Sequence, residues 1–101
     1  MPGKVIAELT VVPLGTGSSS LSGYVRVVEK VIEDSGLDHQ LTPMGTCVQG
    51  ELDDIFAVVK QCHEALAAEG CARISTHIKL DDRRDKDRTM QDKLDAVRQG
   101  T

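Results

Sequence analysis

An α+β sandwich in the order β-α-β-β-α-β, with one more helix at the C-terminus, is the architecture this sequence predicts. Three observations carry that expectation. Apolar, β-branched runs alternate with two segments whose apolar residues recur at helical spacing. Turn residues at Thr42-Pro43-Met44-Gly45 divide the middle of the chain into a hairpin. A length of 101 residues leaves no room for the extra parallel strands of a doubly wound sheet.

Taken in order, Lys4 to Pro13 reads as the first strand, with Val5, Ala7, Leu9 and Val11 on one face and Ile6, Glu8, Thr10 and Val12 on the other. Pro13 ends it, because proline has no N–H to give to a ladder. The loop Pro13–Ser20 follows. Leu21, Tyr24, Val25, Val28, Val31 and Ile32 then fall on one helical face, opposite Glu29, Lys30, Glu33 and Asp34. Valine is a poor helix former, so packing must hold this helix. Ser18 or Ser20 is the expected N-cap, and Gly36 the residue that ends the helix.

The hairpin pairs Asp38–Thr42 with Thr46–Gln49. The stripe of Leu52, Ile55, Val59, Cys62 and Leu66 predicts a helix over Asp53–Glu69, stopped by Gly70. Cys71–Leu80 is the last strand, with Ala72, Ile74, Thr76, Ile78 and Leu80 inward and Arg73, Ser75, His77 and Lys79 outward. In the run Asp81–Arg88 the i, i+4 pairs Asp82/Lys86 and Arg83/Asp87 support a helix start, predicting a C-terminal helix over about 85–99. Its only apolar seam is Met90, Leu94 and Val97. The whole is a single ferredoxin-like domain over 1–101: a four-stranded antiparallel sheet with both core helices on one face.

Composition excludes several function classes. A net charge of −4 argues against a general nucleic-acid binder. No apolar run approaches the roughly 18 residues of a membrane helix, and no signal-peptide pattern is present, so a cytoplasmic protein without membrane contact is expected. Cys47, Cys62 and Cys71 form no C-x-x-C pair and are expected as reduced thiols. His39, His63 and His77 fall in different elements without ligand spacing, so no metal and no cofactor are expected. Tyr24 and Phe56, the only aromatics, lie on helices, which removes the base-stacking strands of an RNA-recognition domain.

Two places remain where chemistry can sit. Glu8, Thr10, Ser75, His77 and Lys79 project from the sheet face that the helices leave open. That face is either a solvated back or a site closed by a partner subunit, and Ile6 and Val12 on it favour a covered surface. The loop Gly15-Thr16-Gly17-Ser18-Ser19-Ser20 is one glycine short of a dinucleotide fingerprint and lacks the G-K-[ST] of a P-loop. It reads as a helix cap and as the lip of a pocket whose floor is Glu8 and Thr10. His77 with Glu8 is the one candidate acid–base pair. With no nucleophile or metal beside it, no catalytic residue is assigned.

The segments Ala7–Thr16, Met44-Gly45-Thr46 and Lys79–Asp85 resemble the small thiamine-binding protein family, over nearly the whole chain and with the same element order. The resemblance implies a ferredoxin-like fold, dimers whose sheets pair, and homotetramers built as dimers of dimers. It further implies binding of thiamine or its hydroxymethylpyrimidine part, with no established reaction. On that basis Glu8 would accept from the ring amine and offset the thiazolium charge. Thr10, Thr16, Ser18, Ser19 and Thr46 would supply neutral hydrogen bonds, Met44 a soft contact, and His77 a further polar group on the open face. The alternatives are an enzyme of this fold using His77 and Glu8, or a structural or regulatory oligomeric module.

Overall fold

The computed structural model describes residues 4–17 and 21–99. It contains β1 (Val5–Pro13), α1 (Ser22–Ser35), β2 (Asp38–Thr42), β3 (Gly45–Gly50), α2 (Leu52–Ala68), β4 (Ile74–Asp81) and α3 (Met90–Arg98). The strands form one sheet in the order β2-β3-β1-β4, and every neighbouring pair is antiparallel. This is the ferredoxin-like α+β sandwich, with α1 and α2 packed on one face.

Strand alternation decides what is buried. Val5, Ala7, Leu9 and Val11 on β1 join Val48 on β3, Val28 and Ile32 on α1, and Ile55, Val58, Cys62 and Leu66 on α2 in one buried cluster. Ile32, Ile55, Leu66, Val48 and Cys62 are fully enclosed. Burial of that apolar surface is what holds the valine-rich α1 in helical form.

The element ends differ from expectation in three places, each for a local reason. The N-cap position of α1 is Leu21, which forms no side-chain cap bond; its carbonyl accepts from the Val25 N–H at 2.9 Å. The cap is thus not a serine, and Ser18 and Ser20 themselves lie outside the described residues. At the other end α1 does stop at Gly36, which takes φ 77°.

On β4, Leu80 does sit on the helix side, opposite Ala7, yet it is 40% exposed, and Ala72 precedes the strand and is exposed. The core helices lie over β1 and β3, so this edge strand is only lightly covered. Ile74 and Ile78 pack against the buried cluster, and a hydrogen bond joins His63 on α2 to the Thr76 hydroxyl.

The C-terminal helix opens at Met90 rather than near residue 85. Thr89 and Asp92 form a capping box there, each side chain bonded to the other's backbone N–H. Upstream, the charges pair at shorter spacing than the expected i, i+4: Arg83 with Asp85 and Arg84 with Asp82, both at 2.9 Å. These pairs fold the segment into a turn instead of a helix start.

Gln49 fixes where α3 goes. It alternates with Val48 and so points to the open face, where its Oε1 accepts from the Met90 N–H (2.8 Å) and its amide donates to Asp38 (2.9 Å). Lys93 on α3 pairs with Asp81 at the end of β4. The helix therefore covers the Ile6/Gln49/Asp81 end of the open face. Of its seam, Met90 is buried, Leu94 half-buried, and Val97 78% exposed.

Candidate functional site

Strand pairing on the two sides of β1 ends at different residues. With β4 it runs to Pro13↔Ile74, but with β3 the last pair is Leu9↔Thr46. Beyond Leu9, β1 therefore offers an unpaired backbone edge toward the β2–β3 turn. Such an edge is a row of N–H and C=O groups ready for an outside partner.

A notch of about 170 Å³ opens along that edge. Its walls are β1 from Leu9 to Val12, the turn Leu41–Thr46, and Val25, Val28 and Glu29 of α1. The turn is held tightly. Thr42 Oγ1 donates to the Gly45 carbonyl (2.8 Å) and accepts from the Met44 N–H (3.2 Å). Thr10 Oγ1 reaches the Met44 carbonyl at 3.4 Å, which ties the turn to β1. Gly45 must be glycine because a Cβ would lie 2.8 Å from the Leu9 carbonyl oxygen and 3.0 Å from Thr10 Oγ1.

The notch is mostly apolar; besides Thr10 and Thr42, whose hydroxyls bond within the turn region, it holds one polar pair. The Thr46 hydroxyl, 5% exposed, donates to the half-buried Glu29 carboxylate. That bond fixes a negative charge in a mostly apolar recess. The charge is felt nearby: burial first, and Glu29 second, push the Cys62 thiol up to about 11.

The predicted site residues separate into two groups. Thr10, Met44 and Thr46 line the notch. Thr46 faces the helices rather than the open sheet, because it shares the strand parity of Val48. Met44 sits on the turn with its side chain 82% exposed. Glu8 and His77 project from the opposite, open face, where Glu8 stands across from Lys79 and Cys47, and His77 across from Thr10. Glu8 and His77 are thus diagonal neighbours, and among the described residues no hydrogen bond or ion pair joins them. Burial, followed by the Glu8 charge, raises the Cys47 thiol pKa on that face.

Thr16 lies in the loop after β1, half-buried and outside the notch lining. Gly15 and Gly17, at φ 72° and 78°, give that loop a left-handed curl that other residues rarely adopt. Ser18 and Ser19 fall outside the described residues. Glu29, Val25 and Leu41 were not expected at a site. Glu29 sits on what the helical pattern marks as the solvent side of α1, although Thr46, two residues before Val48, carries a legible parity. Glu29 also meets Glu33 and His39 in the described set's one cluster of metal-ligating side chains.

The family model for the thiamine-binding proteins matches residues 7–98. The chain belongs to that family. Its relatives include the UPF0045 protein YqgV of Bacillus subtilis, 44% identical over 96 residues covering 91% of this chain and 92% of the relative. A UPF0045 protein of Methanothermobacter thermautotrophicus is 42% identical, covering 94% and 97%. Among solved structures, the hypothetical protein MJ1052 of Methanocaldococcus jannaschii superposes with a TM-score of 0.84 at 35% identity, over 93% of this chain and 95% of that one. A Thermotoga maritima protein, whose proposed role is thiamine biosynthesis or salvage, shares the fold at TM-score 0.80 and 22% identity, over 93% and 98%. The family is described as binding proteins, with no reaction in the description. No helix among the described residues is long and apolar enough to cross a membrane.

Proposed function

We propose that this chain is a non-enzymatic binder of thiamine or its hydroxymethylpyrimidine part, and that the ligand sits in the notch between β1, the β2–β3 turn and α1. The observation that carries this is the Glu29 carboxylate, held by Thr46 inside an apolar recess beside an unpaired strand edge. Thiamine brings a cationic thiazolium and an aminopyrimidine with adjacent donor and acceptor atoms. A carboxylate in low-polarity surroundings favours the cation more than one in water does. The free edge of β1 supplies N–H and C=O groups for the pyrimidine. Among the described residues no aromatic side chain lines the notch, so Leu41, Val25 and Met44 provide the apolar contact.

A second location is favoured by one specific observation: Glu8, Thr10 and His77 share the part of the open face that α3 leaves uncovered. In that arrangement a second copy closes the site, as in the homotetramer of paired dimers that the family resemblance implies. Light scattering at micromolar protein tests the assembly, and a monomer would refute it.

Calorimetry of the full chain with thiamine and with hydroxymethylpyrimidine tests the binding and its place. Glu29→Gln is expected to weaken thiamine at least tenfold, in line with the loss of a charge-assisted contact, while Glu8→Gln leaves it unchanged. The reverse pattern moves the site to the open face. No heat from either compound with the wild-type protein removes the proposal.

A further inference from the structure

Glu29 and Glu33 stand one turn apart on α1, and Gly36 then turns the chain so that β2 runs back beneath them. His39, on the helix-facing side of β2 opposite Val48, enters the same space. One ligand atom from each of the three residues lies within 4.8 Å of the other two.

Two of the three donors are oriented from behind. The Nδ1 of His39 is 3.0 Å from the Leu37 carbonyl oxygen. A carbonyl can only accept, so Nδ1 is the donor there and Nε2 is the nitrogen left to face a metal. A histidine whose far N–H is anchored to a backbone carbonyl is the usual arrangement behind a metal ligand. Glu29 is held by the Thr46 hydroxyl. Among the described residues no lysine or arginine forms an ion pair with Glu29 or Glu33, and the adjacent Lys30 is engaged by Asp34 at 3.0 Å. The Lys30 charge is felt by Glu33 as well, but it is bonded to Asp34 and to neither of the two carboxylates.

We propose that Glu29, Glu33 and His39 bind one divalent transition-metal ion. Two carboxylates balance its charge, and the imidazole favours a borderline ion such as Zn²⁺ or Co²⁺ over Mg²⁺ or Ca²⁺, which take oxygen ligands, with the harder Mn²⁺ bound more weakly than Zn²⁺ or Co²⁺. Water completes the coordination shell. The site does not rest on the thiamine proposal, because Glu33 and His39 lie outside the notch lining. Glu29 belongs to both, so an ion there withdraws negative charge from the notch and opposes a cationic ligand.

The test uses the full chain with Mn²⁺ and with Co²⁺ as probes. Equilibrium dialysis with Mn²⁺, read by electron paramagnetic resonance, is expected to give one ion per chain. Glu33→Gln and His39→Asn should each weaken it at least tenfold, and Glu64→Gln, an exposed carboxylate on α2, should not. The two variants alter different elements, so circular dichroism without metal identifies any that misfolds and the other still decides. The Co²⁺ spectrum should lack a thiolate charge-transfer band. Unchanged affinity in a folded Glu33→Gln or His39→Asn protein, no binding at millimolar ion, or a thiolate band would overturn the assignment.

Discussion

On β1, Val5, Ala7, Leu9 and Val11 lie under the core helices and are at most 6% exposed, whereas Ile6, Thr10 and Val12 on the opposite face are half-buried and Glu8 is exposed. The same strand thus serves two environments. On the covered side a polar group must be partnered, and Thr46 and Glu29 are. On the open side Glu8, His77 and Lys79 stand in water, and only the end under α3 is shielded. A preformed recess for a small molecule arises where helices, turn and strand edge meet. The open face becomes one only if another surface closes it.

The largest break in that contrast comes from cutting into the covered side. Leu66→Ala, at a fully buried position, is expected to cost about 2–5 kcal/mol by denaturant unfolding, since it leaves a cavity in the buried cluster. Val97→Ala on α3, with the valine 78% exposed, should stay within about 0.5 kcal/mol. Equal costs would mean that α3 is packed against something in solution, as an oligomer requires.

Gly45→Ala is the next largest. The added methyl meets the Leu9 carbonyl, which is backbone and cannot rotate away, so a cost of about 1–3 kcal/mol is expected. Ligand binding should fall with it, because the turn that walls the notch must shift. Thr46→Val keeps the shape but removes the donor to Glu29, at about 1–2 kcal/mol. Thr10→Val, whose hydroxyl makes only a 3.4 Å contact, should cost less in the same assay.

Much of this fold is written locally. The alternation of β1, the stripe of α2 and the Thr42–Gly45 turn each state their element through side-chain period or turn chemistry. The notch is different in kind. Glu29 is polar on a polar helix face, and nothing near it in sequence marks it; it becomes special only when β3 brings Thr46 underneath. His39 joins Glu29 and Glu33 through the turn at Gly36, whereas a search by Cys/His spacing passes over carboxylates. The start of α3 is written in Thr89-Met90-Gln91-Asp92, which carries the T-x-x-acid capping pattern, while the denser charges at 82–88, which suggest an earlier helix start, close into i, i+2 pairs instead.

The smallest expected effect separates α3 from the core by pH. The hydrogen bond and charge of Lys93 hold the Asp81 carboxyl below its ordinary 3.8. The Thr89 backbone N–H, and then its hydroxyl, do the same for Asp92. A carboxyl whose folded value is depressed adds stability that is fully present above its unfolded value and is lost as pH falls through the folded one. Both groups act on α3, and neither touches the buried cluster. Amide exchange followed from about pH 5 to about pH 2 should therefore lose protection first at Lys93–Arg98, while Ile55–Leu66 stays protected. Thr89→Ala should bring part of that loosening to neutral pH, at about 1 kcal/mol for the lost cap. If α3 and the core instead open together, the helix is bound into the fold by more than its capping box and its pair with Asp81. The covered end of the open face would then be as integral to the molecule as the helix-packed side.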